Sequence, residues 1–85
     1  MAISLEYRAT MEIAQFLVSG PTPEQTIAFH PSQEAIDRAY ALIDADRHKT
    51  LTEDERAELD SYVDLEYMMR LIKTEAQRIL QHRAS

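Results

Sequence analysis

TLTEDERAELDSYVDLEYMMRLIKTEAQRILQHRA, residues 50–84, fills more than a third of the 85-residue chain and contains neither Gly nor Pro. Its start is a capping box. Thr52 can accept from the backbone N–H of Glu55, and the Glu55 side chain can return a bond to the N–H of Thr52. Leu51 stands just before it as a hydrophobic anchor. Leu59, Tyr62, Leu65, Met69, Ile72, Ala76 and Ile79 then recur at steps of three and four, the period of one helical stripe. Val63, Met68, Leu71 and Leu80 widen that stripe beyond a coiled-coil seam. The spacing predicts a single helix over 52–82, with an apolar face that needs more than one neighbour to cover it.

Charge is graded along this helix. Residues 53–66 hold seven acids against Arg56, and residues 70–83 hold Arg70, Lys73, Arg78 and Arg83 against Glu75. Both halves suit the helix dipole. They also suit self-pairing, since two antiparallel copies would set acidic half against basic half around Met68, Met69 and Ile72.

Working outward, residues 33–46 carry Ala35, Ile36, Ala39, Tyr40 and Ile43 on one stripe behind an N-cap at Ser32. The connection at 46–50 is short, so this helix should form an antiparallel hairpin with the first half of the long one. The second half then projects beyond its partner and needs the N-terminal helix, or a second chain, as cover. Upstream, Thr22, Pro23 and Gln25 read as another capped start, with a short helix at 23–29 that points Ile27 and Phe29 inward and stops at Pro31.

Residues 4–19 are ambiguous in period. Ile3, Leu5, Tyr7, Ala9, Met11 and Ile13 alternate as in a strand, while Leu5, Ala9, Ile13, Phe16 and Leu17 share a helical face. Composition favours helix, and Gly20 sits where a C-cap is wanted. The expectation is an all-α fold of three to four helices in one domain, an antiparallel hairpin with a long C-terminal helix.

Composition narrows the function. There is no Cys, hence no disulfide framework or thiol chemistry. No apolar run approaches a membrane span, and the first residues lack the basic region of a signal peptide, so a cytoplasmic location is expected. A net charge of −6 without a basic cluster argues against direct nucleic-acid binding, which rests on neutralising phosphates. His30, His48 and His82 are scattered, with no zinc spacing, phosphate loop or nucleophile elbow, and no enzymatic role is expected. Glu58, Asp60, Asp64 and Glu66 read as a solvated face.

Residues 44–55 resemble an EF-hand loop. Asp44 and Asp46 match the first and third ligand positions, Thr50 the seventh carbonyl, and Glu55 the bidentate twelfth. His48 and Lys49 depart from the pattern at the fifth and sixth, where calcium wants oxygen and the turn wants Gly. A helix end, a turn and a capping box account for the same residues, and that is the preferred expectation, with no cofactor.

The candidate partner contacts are Tyr67, Met68, Arg70, Ile72 and Ile79. Met and Tyr adapt to irregular surfaces, and Tyr and Arg concentrate at interface hot spots. Tyr62 and Met69 are expected in the core.

Three runs, Ile27-Ala28-Phe29-His30-Pro31-Ser32-x-Glu34, Leu51-Thr52-x-Asp54-Glu55-x-Ala57-Glu58-Leu59-Asp60-x-Tyr62 and Glu66-x-x-Met69-Arg70-Leu71-x-Lys73, together resemble a group of small uncharacterised bacterial proteins common in cyanobacteria. Members look like companions of toxin-type or HNH nucleases. The resemblance implies an antitoxin-like inhibitor with no catalytic residue. Acidic charge suits inhibition of a basic, nucleic-acid-cutting partner. The expected function is a self-associating protein-interaction module, most simply a homodimer; the alternative is a divalent-cation-binding protein using residues 44–55.

Overall fold

The computed structural model describes residues 6–84 and contains four helices: α1 (Arg8–Val18), α2 (Pro23–Ala28), α3 (Gln33–Arg47) and α4 (Glu53–Ala84). No strand occurs among the described residues, so the fold is all-α. α4 is one unbroken helix of 32 residues. At 1.5 Å per residue that is about 48 Å, nearly the whole 51 Å length of the molecule.

The starts of the helices follow their caps. Thr52 and Glu55 exchange bonds of 3.1 and 2.9 Å, as do Thr22 and Gln25. Ser32 Oγ accepts from the Ala35 N–H at 3.2 Å. Gly20 takes φ +70 just beyond α1, the left-handed turn that ends a helix without strain only at a residue lacking Cβ.

α3 and α4 form the antiparallel hairpin. Asp46 pairs with Arg56 beside the turn, and Arg38 pairs with Glu58 further along both helices. The turn closes through the Thr50 N–H on the Ala45 carbonyl at 2.9 Å, with Lys49 at φ 57. Sequence left the cover of the projecting half of α4 to α1 or a second chain; within the chain α2 supplies more of it than α1 does. Lys73 Nζ donates to the Phe29 carbonyl at 2.6 Å, and the Phe29 ring stacks on Phe16 at 4.3 Å between centroids. α2 can do this because Gly20 and Pro21 turn the chain back across α4.

α1 begins four residues later than expected, at Arg8. Residues 4 and 5 of that expectation lie outside the described residues. Tyr7 is left-handed, with φ 55, and cannot continue a helix backward. Its N–H donates to Glu58 Oε2 at 3.2 Å, which fixes the entry of α1 onto the hairpin. Residues 6–13 are turn and helix rather than strand.

The buried apolar residues are Ala9, Ile13, Ala35, Ala39, Leu42, Leu59, Met69 and Ala76. Half are alanines. They allow close approach of the helices, but each removes little apolar surface from water. Leu42 belongs to the core and Tyr40 does not, being 67 % exposed. Ala35, Ala39 and Leu42 define the buried meridian of α3, and Tyr40 lies about 100° round from Ala39. Leu17, expected inside, is 41 % exposed.

Candidate interaction surface

The five expected partner contacts do not form one patch. Met68, Ile72 and Ile79 line a groove of about 460 Å³ where the chain passes from Pro21 into α2. Leu71 joins them; three residues on from Met68, it continues the same ridge. Met68 is 50 % exposed, Leu71 46 % and Ile79 45 %, so α2 covers only the edge of this ridge. Tyr67 faces outward. Arg70 lies on another side of α4, paired with Glu66 at 3.2 Å.

Arg70 borders a second groove, also of about 460 Å³, between α3 and α4. Ile36, Ile43 and Met69 supply apolar lining, and Tyr40, Tyr62, Glu66 and Lys73 stand around it. Burial pushes the Tyr62 phenol up from its ordinary value, and the adjacent Glu66 adds to that.

Residues 44–55 do not form a loop between helices. Asp44 and Asp46 are in the last turns of α3, and Glu55 is in the first turn of α4. Asp46 is engaged by Arg56, and Glu55 by Thr52, whose backbone N–H above all holds that carboxyl below its usual range. His48 Nδ1 sits 2.8 Å from the Asp44 carbonyl, and Thr50 Oγ1 donates to the Ala45 carbonyl. Asp46 and Glu55 therefore serve the hairpin turn and the helix cap. Among the described residues no three His, Asp or Glu side chains gather in a metal-binding group.

Two carboxylates that sequence reading placed no function on hold the helices together. Glu58, read as solvated, is 5 % exposed. It accepts a bidentate pair from Arg38 at 3.0 and 2.8 Å as well as the Tyr7 N–H. The Arg38 guanidinium, strengthened by Tyr7, keeps its pKa low against burial. Glu12 accepts the Ser32 N–H and hydroxyl, both at 2.6 Å, and Arg8 Nε at 2.9 Å. Burial raises the Glu12 pKa, but the Ser32 and Arg8 bonds together outweigh it, and the net shift is downward.

No helix among the described residues is long and apolar enough to cross a membrane. Compared with protein-family models, curated proteins and solved structures, the chain matches none.

Proposed function

We propose that this chain is a non-enzymatic interaction module that pairs with a second copy of itself through the Met68–Leu71–Ile79 ridge of α4. The observation that carries the reading is uncovered apolar surface in a chain with too little core. The accessible surface is 6381 Å² for 9.8 kDa. A compact monomer of that mass exposes about 5,200 Å². The excess is comparable to the roughly 800 Å² that each partner buries in a stable interface.

The charge gradient supports an antiparallel arrangement, in which acidic and basic halves of α4 face each other. The net acidity supports a further role for the dimer as inhibitor of a basic protein. Following the resemblance, that protein would be a nucleic-acid-cutting toxin. Opposite charge raises the rate of such an encounter, with strong salt dependence.

Sedimentation equilibrium tests the self-pairing. The expected result is a dimer that dissociates in Met68→Glu and Leu71→Glu variants while helicity by circular dichroism is retained. Wild-type protein that stays monomeric at every concentration overturns it.

A further inference from the structure

The groove between α3 and α4 is independent of the dimer ridge. On α4 it uses Tyr62, Glu66, Met69, Arg70 and Lys73, not Met68, Leu71 or Ile79. Its volume of about 460 Å³ falls within the range of small-molecule sites.

Its lining is polarised along its length. Tyr62 and Lys73 are separated by about 16 Å of helix at 1.5 Å per residue. Because α3 runs antiparallel, Ile43 lies toward the Tyr62 end and Ile36 toward the Lys73 end. The Lys73 end is closed by the segment from Phe29 to Pro31. Two permanent cations, Arg70 and Lys73, stand at or near that end against one acid, Glu66, in a chain whose net charge is −6. Lys73 spends one donor on the Phe29 carbonyl and has three. Arg70 spends one on Glu66 and has five. The other end offers Tyr40, Tyr62 and Ile43, with no cation.

We propose that this groove binds a free amphipathic monocarboxylate of medium chain length. The carboxylate accepts from Arg70 and Lys73, and the chain lies over Ile36, Met69 and Ile43 between the rings of Tyr40 and Tyr62. A neutral alcohol of the same length cannot answer the one positive charge that Arg70 and Lys73 carry in excess of Glu66, and a cationic amphiphile meets like charge.

Calorimetry and amide chemical-shift titration of the full chain, with decanoate, decanol and decyltrimethylammonium below their micellar concentrations, test the assignment. The expected result is saturable one-to-one binding of decanoate, at least about tenfold weaker binding of decanol, and none of the cation. Arg70→Gln and Tyr40→Ala, both at exposed positions, each weaken decanoate severalfold or more without changing helicity. Met68→Gln leaves decanoate affinity unchanged, which separates this site from the dimer ridge. Absence of saturable decanoate binding, equal affinity for all three probes, or undiminished affinity in Arg70→Gln overturns the proposal.

Discussion

Glu58 is the residue on which three helices meet. A carboxylate 5 % exposed is tolerated because Arg38 answers it with two bonds and the Tyr7 N–H with a third. Removing one member strands the other. Arg38 keeps a quarter of its side chain exposed, so the penalty is smaller than for a fully buried pair. Glu58→Gln is expected to lower stability by about 2–3 kcal/mol in urea titrations at neutral pH. Replacing both partners, as Arg38→Met with Glu58→Leu, should lose less than the single change, because no charge is left alone. Acid tests the same contacts. Glu58 and Glu12 both have folded-state pKa values below the ordinary 4.5, so the unfolded chain takes up protons first. Their contribution is complete above about pH 5.5 and is lost as pH falls through 4.5 toward the folded values. Denaturation midpoints measured against pH should fall across that window, and should fall less steeply in Glu58→Gln. The position of Glu58 was legible in principle. Glu58, Tyr62, Leu65, Met69, Ile72 and Ala76 are one stripe at steps of three and four. An acid on an apolar stripe calls for a buried cation, and Arg38 is the single base among residues 33–46.

At the scale of the elements, local chemistry was the readable part. Both capping boxes, the Ser32 cap and the turn at Gly20 follow from residue types at fixed offsets, and the structure reproduces them. What was not readable depends on neighbours distant in sequence. Tyr40 and Leu42 both fit a helical stripe within the tolerance of the period. The packing of α3 against both α1 and α4 decides that Leu42 goes inside. The late start of α1 likewise depends on Glu58, fifty-one residues away, which holds Tyr7 left-handed. The caps can be weighed by substitution. Ser32→Ala removes the α3 cap and the hydroxyl bond to Glu12 but keeps the backbone N–H bond, and is expected to lower stability by about 1–2 kcal/mol. Gly20→Ala meets no atom within 4 Å, so its effect is the left-handed strain alone, about 1 kcal/mol. Thermal or urea unfolding followed at 222 nm reads both. A Gly20→Ala variant indistinguishable from wild type would mean that the turn relaxes without strain.

At the scale of the molecule, shape argues for association. The Cα envelope is 51 × 31 × 17 Å, with a radius of gyration of 15.1 Å. A compact domain of this length has a radius near 12 Å. The short dimension leaves room for about two helical layers, so each helix has an uncovered side. On α4 that side carries Met68 and Leu71 at its middle, acids before them and bases after them. An antiparallel pair with its two-fold axis near Leu71 sets Arg78 and Arg83 of one chain across from Asp64 and Asp60 of the other. Among the described residues these bases make exposed ion pairs, Arg78 with Glu75 at 3.4 Å and Arg83 with Glu24 at 3.7 Å. Such pairs stabilise by at most about 1 kcal/mol and are readily exchanged. Charge reversal tests whether these cross-chain pairs hold the dimer. Arg78→Glu with Arg83→Glu should weaken the homodimer, as should Asp60→Lys with Asp64→Lys. Mixed together, the two variants should form heterodimers tighter than either homodimer, an advantage that shrinks as salt rises. A parallel pair sets like segments side by side, and mixing the same two variants then also relieves repulsion. The discriminating measurement is therefore made without charge reversal, with single spin labels introduced at positions 60 and 78 on separate chains. Antiparallel packing brings those labels close, whereas parallel packing holds them about 27 Å apart, eighteen residues of helix.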